Sequence, residues 1–158
     1  MDPLPYFHLS FRPNIKLVST VRRFTDEFYR RMLVDHELSA RLALTTHEML
    51  ENAVAYALDG ETAIRIEVQD DILTIRTWNR TTPERIEAVK AMIAEMNAVE
   101  DPDAYYQTQL VKTAKRTDGS GLGIARIRAE AQMRISCEID NDRLCVIAAT
   151  PASPGAPQ

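Results

Sequence analysis

Residues 47–57 have the sequence HEMLENAVAYA and are predicted to be helical. Residues four positions apart share one face of a helix, so Glu48, Asn52 and Tyr56 are predicted to form a single stripe. An apolar stripe that includes Met49 runs beside it, as is typical of a helix packed against a core. A carboxylate and an amide at the edge of a core are well placed to line a cleft. On spacing alone, a solvated helix flank stays open as the alternative.

A second informative stretch, DGSGLGIA, covers residues 118–125 and holds three of the chain's five glycines. An amphipathic helix is predicted directly after it. Glycine lets the backbone approach an anion closely, and a helix N-terminus offers free N–H groups and the positive end of a dipole. These residues therefore indicate a phosphate-binding loop. A flexible loop with a glycine-marked helix start is the alternative interpretation.

Two other kinds of glycine-rich nucleotide loop do not fit this stretch. A dinucleotide-binding turn needs a strand directly before it, whereas residues 107–117 are polar and helical in character. The glycine spacing is also Gly-x-Gly-x-Gly, without a glycine three residues after the second. A Walker-type loop fails because no Gly-Lys-Ser/Thr follows.

Hydrophobic periodicity and turn residues predict an α+β chain. A strand over residues 6–11 is followed by two helices, the first capped by Asn14 and ending near residue 33, the second preceded by Ser39 and covering about 40–58. The remaining predictions are strands over 62–69 and 72–78, helices over about 83–97, 102–114 and 124–132, and strands over 133–139 and 144–149. Antiparallel pairs at both ends favour a two-layer sandwich with helices on one face of the sheet. One domain over residues 1–150 is expected, with a disordered tail over 151–158.

The composition is that of an ordinary globular protein. The 158 residues carry a formal net charge of −4 without a basic block, so no nucleic-acid partner is expected. No apolar run approaches the roughly 20 residues that span a bilayer, and the N-terminus lacks the features of a signal peptide, so a cytoplasmic protein without membrane contact is expected. The two cysteines, Cys137 and Cys145, are interpreted as small core residues.

Taken together, the two stretches resemble the histidine-kinase-like (GHKL) ATPases, the family of gyrase, Hsp90, histidine kinases and MutL. Glu48, Asn52 and the Tyr-Ala that follows are similar to the family's N-box, and Gly119–Gly123 is similar to its second glycine box. Within the family, the chain is most similar to the stand-alone serine kinases and anti-sigma factors of bacterial partner switching. The long helical segment between Asn79 and Gly119 is most similar to that of SiaB-type kinases.

The resemblance implies a Bergerat-type ATP-binding fold, a two-layer α/β sandwich with a mixed sheet covered by helices on one face. It also implies ATP and Mg2+ as cofactors, with Asn52 holding the metal and Glu48 acting as the general base. Four residues of the glycine box are expected to bind the cofactor: Gly119, Gly121, Leu122 and Gly123.

The family's first glycine box is missing. In place of the first glycine box, whose aspartate reads the adenine amino group, the chain has Asn79-Arg80-Thr81-Thr82-Pro83. Asn79 is expected to accept one hydrogen bond from adenine in its place, and a neutral bond is weaker than a charge-assisted one.

Three hypotheses follow from the resemblance. The first is a Mg-ATP-dependent serine/threonine kinase that acts on a STAS-domain anti-sigma-factor antagonist, with a possible homodimer through the first strand and helix. The second is a degenerate ATPase-fold module that binds a protein partner without nucleotide turnover. A third, weaker one is the sensor half of a split histidine kinase. The intact Glu48/Asn52 pair favours the first and the missing glycine box favours the second.

Overall fold

Helices and strands follow one another in the predicted order. The computed structural model describes residues 7–113 and 122–152. Its elements are β1 (Phe7–Phe11), α1 (Ile15–Met32), α2 (His36–Ala55), β2 (Thr62–Gln69), β3 (Ile72–Arg80), α3 (Pro83–Ala98), α4 (Pro102–Thr113), α5 (Leu122–Glu130), β4 (Arg134–Asp140) and β5 (Arg143–Pro151). Gly119, Gly121 and residues 153–158 of the predicted tail lie outside the described residues.

The five strands form one sheet in the order β1-β2-β3-β5-β4, and every neighbouring pair is antiparallel. The α+β architecture is as predicted, but the expectation of a mixed sheet is wrong for these strands. Two helices, α1 and α2, carry the chain away from the end of β1 and back to it, so β2 runs opposite to β1. β4 does run in the same direction as β3, but the β4–β5 hairpin places β5 between them.

The core lies between one face of the sheet and the helices. On β2 and β3, Ile64, Ile66 and Ile75 are fully buried, and Leu73 is almost so. Side chains from α2, α3 and α5 cover them, chiefly Leu42, Met49, Leu50, Val89, Met96 and Ile127. Strand residues alternate between the two faces, so the same register places Arg65 and Arg76 opposite each other on the far face. α2 packs against α1, α5 and β3, which makes it the central helix of the layer.

The ends of α1 and α2 show which capping predictions hold. Asn14 caps α1 as predicted, since its side-chain oxygen accepts from the backbone N–H of Lys16 at 2.9 Å. The N-cap of α2 is Asp35, not Ser39, and its carboxylate accepts from two backbone N–H groups of the first turn. The extra turn buries Leu38, which is 2 % exposed, and this burial favours the earlier start. At its other end α2 stops at Ala55, before the predicted Leu58.

The cysteines lie on different strands and different faces. Cys145 pairs with Glu138, and Cys137 pairs with Val146, so their side chains point to opposite sides of the sheet. Cys145 is buried, as predicted, whereas Cys137 is only partly buried. Within residues 7–113 and 122–152, no helix combines the length and apolarity needed to cross a membrane.

Candidate functional site

α5 lies close against α2 at Gly123. A Cβ atom on this residue would lie 2.5 Å from Oε2 of Glu48 and 3.6 Å from Nδ2 of Asn52. Real Cβ atoms do not come as close as 2.5 Å to another heavy atom, so only glycine allows the present contact. Leu122, the first residue of α5, is partly buried beside it. The N-terminus of α5 therefore faces a carboxylate and an amide that are one helical turn apart on α2.

A chain of charged groups continues from Glu48 along α5. Oε1 of Glu48 accepts a hydrogen bond from Nη1 of Arg126 at 3.2 Å, and Nε of Arg126 donates one to Glu130 at 2.9 Å. The hydrogen bond that Arg126 donates to Glu130 is the first cause of the raised pKa of Arg126, and the Glu48 carboxylate contributes to it. The Glu48 side chain is only 14 % exposed, compared with 42 % for Arg126. The carboxylate is thus held at the inner end of this chain, with one oxygen on Arg126 and the other against Gly123.

A cavity adjoins this contact, between α2, β3, α3 and β5. Its polar lining consists of Asn52, Tyr56, Thr77, Asn79 and Arg85, and its apolar lining includes Met49, Ala53, Val89, Ile124, Leu144 and Val146. An apolar pocket with a few convergent polar groups is the usual form of a small-molecule site. The space free to a water-sized molecule is about 20 Å³, which is enough for a single water. A larger ligand would have to spread the lining apart.

The β3–α3 side of the cavity is held by contacts to the end of α2. Thr81 donates its hydroxyl to the carbonyl of Tyr56 at 2.7 Å, which fixes the residue that caps α2. The guanidinium of Arg85 lies 3.5 Å from the centre of the Tyr56 ring, in a cation–π contact. Asn79 is 4 % exposed, and its Nδ2 donates to the carbonyl of Arg80 at 3.4 Å. Arg85 and Asn79 therefore lie in the lining beside the end of α2.

The structure brings together most of the residues that the sequence singled out. Glu48, Asn52 and Gly123 meet at the α2–α5 contact, and Asn52 shares the adjoining cavity with Asn79. Gly119 and Gly121 lie outside the described residues. Sequence reasoning missed Arg126 and Arg85. Arg126 is 78 residues from Glu48, so no local pattern could have signalled the pair.

The oxygen-bearing side chains of this site suit a magnesium ion that is held mainly by a bound small molecule. No group of three His, Cys, Asp or Glu side chains within the described parts of the chain could form a metal site on its own. Mg2+ commonly keeps several waters and binds through one or two protein oxygens together with substrate phosphates. Asn52 lies beside Gly123, and its side chain carries one oxygen of the kind that such a site uses.

Comparisons with known proteins identify the family to which this fold belongs. The sequence profile of the histidine kinase-like ATPase domain family matches residues 11–150. Among solved structures, the chain is similar to the SiaB–SiaC complex of Pseudomonas aeruginosa, at 16 % identity and a TM-score of 0.65, over 90 % of this chain and 88 % of that one. It is also similar to the catalytic domain of histidine kinase ThkA, at 18 % identity and a TM-score of 0.45, over 94 % and 99 %. No curated protein matches it. The profile spans most of the chain, which therefore belongs to the histidine kinase-like ATPase domain family.

Proposed function

We propose that this chain is a cytoplasmic signalling regulator that transfers phosphate from Mg-ATP to a serine or threonine of a small protein partner. The observation that carries the proposal is the contact of Glu48 and Asn52 with Gly123 at the start of α5. It brings a carboxylate and the side-chain amide of Asn52 next to a helix end of the kind that attracts phosphate. The family supports nucleotide binding.

In this proposal the triphosphate lies at the N-terminus of α5, with Gly123 and Leu122 in the cradle together with Gly119 and Gly121. The amide oxygen of Asn52 would hold Mg2+, which supplies charge neutralisation at the phosphates when it is bound. The base would enter the cavity beside Asn79. Because the cavity has room for about one water, nucleotide binding has to widen it.

Glu48 would serve as the general base. Its carboxylate accepts the proton of the partner's hydroxyl, the hydroxyl oxygen bonds to the γ-phosphorus, and ADP leaves with the bridging oxygen. One carboxylate oxygen is bonded to Arg126. The other, Oε2, is the one closest to the phosphate-binding helix end.

A STAS-domain anti-sigma-factor antagonist is the kind of partner we propose. Support comes from the similarity to a structure in which SiaB is bound to SiaC. A homodimer through β1 and α1 fits the exposed apolar side chains of α1, where Ile15 is 60 % and Phe24 is 56 % exposed. Among the described strands, β1 lies at the edge of the sheet, where a second chain could pair with it.

Two substitutions on α2 test the assignment, with Glu51→Ala as a control on an exposed position of the same helix. Asn52→Ala is expected to abolish Mg-dependent ATP binding in calorimetry, because it removes the metal ligand. Glu48→Ala is expected to keep binding and lose phosphate transfer to the partner. Unchanged ATP affinity in Asn52→Ala would refute the metal assignment. Binding without transfer in the wild-type chain would favour the second candidate, a partner-binding module without turnover.

A further inference from the structure

Both oxygens of the Glu48 carboxylate lie against one face of α5. Oε1 accepts a hydrogen bond from Nη1 of Arg126 at 3.2 Å, and Oε2 is the atom that a Cβ on Gly123 would meet at 2.5 Å. Gly123 and Arg126 are three residues apart, so they share that helix face. The carboxylate therefore has a defined orientation relative to α5, with Oε1 on the arginine and Oε2 beside the second residue of the helix.

Arg126 is held in turn by a second carboxylate. Its Nε donates to Oε2 of Glu130 at 2.9 Å, about one turn further along α5. The two acidic residues thus bind different nitrogens of one rigid, planar guanidinium. The Glu130 side chain is 44 % exposed and that of Glu48 is 14 % exposed. Arg126 therefore links an outer, solvated carboxylate to an inner one that is largely removed from water.

A general base needs this kind of support. A glutamate side chain rotates about three bonds, so a carboxylate without a partner adopts several orientations. A base is effective when one oxygen lies within hydrogen-bond reach of the proton that it accepts, and a third group often holds the base in that position. Binding of Oε1 by Arg126 leaves Oε2 as the oxygen next to the proposed phosphate site.

We infer that Arg126 is a positioning residue for Glu48. It binds Oε1 and thereby keeps Oε2 in place to accept the proton of the attacking hydroxyl. The inference rests on the proposed function, in which Glu48 is the general base. In this role Arg126 acts only through Glu48.

ADP release from Mg-ATP by the full chain measures this role with water as the acceptor. The water gives a proton to Glu48 as its oxygen bonds to the γ-phosphorus and ADP leaves. Arg126→Met keeps the length of the side chain and removes its donors, so it is expected to lower kcat about fivefold and to change the KM for ATP less than about twofold. Arg126→Lys should recover part of the rate. Arg134→Met, at an exposed position on β4, is the matched control.

Urea denaturation tests the same contact without nucleotide. In the wild type, Gly123→Ala must displace a carboxylate that is bound to Arg126. In Arg126→Met the carboxylate can move away without losing that bond. Gly123→Ala is therefore expected to raise the urea midpoint by roughly 0.3 M in the Arg126→Met background and to change it little in the wild-type and Arg126→Lys backgrounds.

The outcomes separate this inference from the proposed function. An unchanged kcat in Arg126→Met would overturn the inference, and so would an equal further loss when the same change is made in Glu48→Ala. A KM for ATP raised about tenfold or more would also overturn it, because the guanidinium would then contact the nucleotide itself. Equal midpoint shifts in all three backgrounds would show that Arg126 does not hold the carboxylate. Absence of Mg-ATP binding would overturn the proposed function, and the urea comparison would still decide whether Arg126 holds Glu48.

Discussion

Replacing Gly123 by alanine tests the contact on which the site depends. In a helix, alanine is more stable than glycine by roughly 0.5–1 kcal/mol. Here the new Cβ would lie 2.5 Å from Oε2 of Glu48, so the carboxylate must move. This movement breaks the ion pair between Glu48 and Arg126. The Arg126 side chain is 42 % exposed, so the ion pair stabilises the folded state by only about 0–1 kcal/mol. The gain and the loss are of similar size, so Gly123→Ala should leave the free energy of unfolding within about 0.5 kcal/mol of the wild-type value.

The same substitution in the Glu48→Ala background provides the matched comparison. With the carboxylate gone, the Cβ meets no close atom of residue 48, and alanine should now stabilise the chain by its full roughly 0.5–1 kcal/mol. Urea denaturation of the wild type, the two single variants and the double variant gives this difference. An equal gain in both backgrounds would show that Glu48 does not lie against Gly123. Calorimetry should also show weaker ATP binding by Gly123→Ala, because the added methyl group stands where the phosphates are proposed to approach.

Two further predictions concern stability away from the site. The hydroxyl of Tyr29 lies 2.6 Å from that of Thr46, and both residues are buried. Tyr29→Phe leaves the threonine hydroxyl without this partner, so it should lower the free energy of unfolding by about 1–3 kcal/mol in urea denaturation. An unchanged free energy of unfolding would mean that this hydrogen bond contributes nothing to stability. The hydrogen bond that Arg80 donates lowers the pKa of the Asp142 carboxyl in the folded chain. The ionised carboxylate therefore stabilises the fold fully at a pH above its pKa in the unfolded chain, and this stabilisation is lost as the pH falls through its lower pKa in the folded chain. Asp142→Asn should therefore flatten the fall in thermal stability below about pH 4, and an unchanged slope would contradict the pairing.

Local sequence patterns predicted a helix or strand accurately where its hydrophobic periodicity was strong and turn residues marked its end. β2 spans the predicted residues, Thr62–Gln69, because its apolar side chains alternate up to the Asp70-Asp71 turn. The start of α2 was misplaced because both Asp35 and Ser39 can cap a helix, and only the burial of Leu38 by the folded chain decides between them. The expectation of a mixed sheet came from the family resemblance, and local patterns could not correct it because they do not show that β5 enters between β3 and β4.

The sequence predicted the part of the candidate site whose residues lie close together along the chain. Glu48 and Asn52 lie on one helix face, so their common stripe follows from their spacing. Arg126 and Arg85 reach the site through contacts between separate elements. Nothing in the spacing of residues identifies such long-range neighbours, since packing of α5 and α3 against α2 creates them.

Thermal unfolding of the full chain with ATP, in the presence and absence of Mg2+, is the direct test of the proposal that this chain binds Mg-ATP. A ligand that binds only the folded state stabilises it by mass action, by about 2.7 kcal/mol at a hundredfold excess over its dissociation constant. We predict a clear rise in the unfolding temperature with Mg-ATP, a smaller rise with ATP alone, and loss of the magnesium-dependent part in Asn52→Ala. No rise at millimolar Mg-ATP would contradict the nucleotide site.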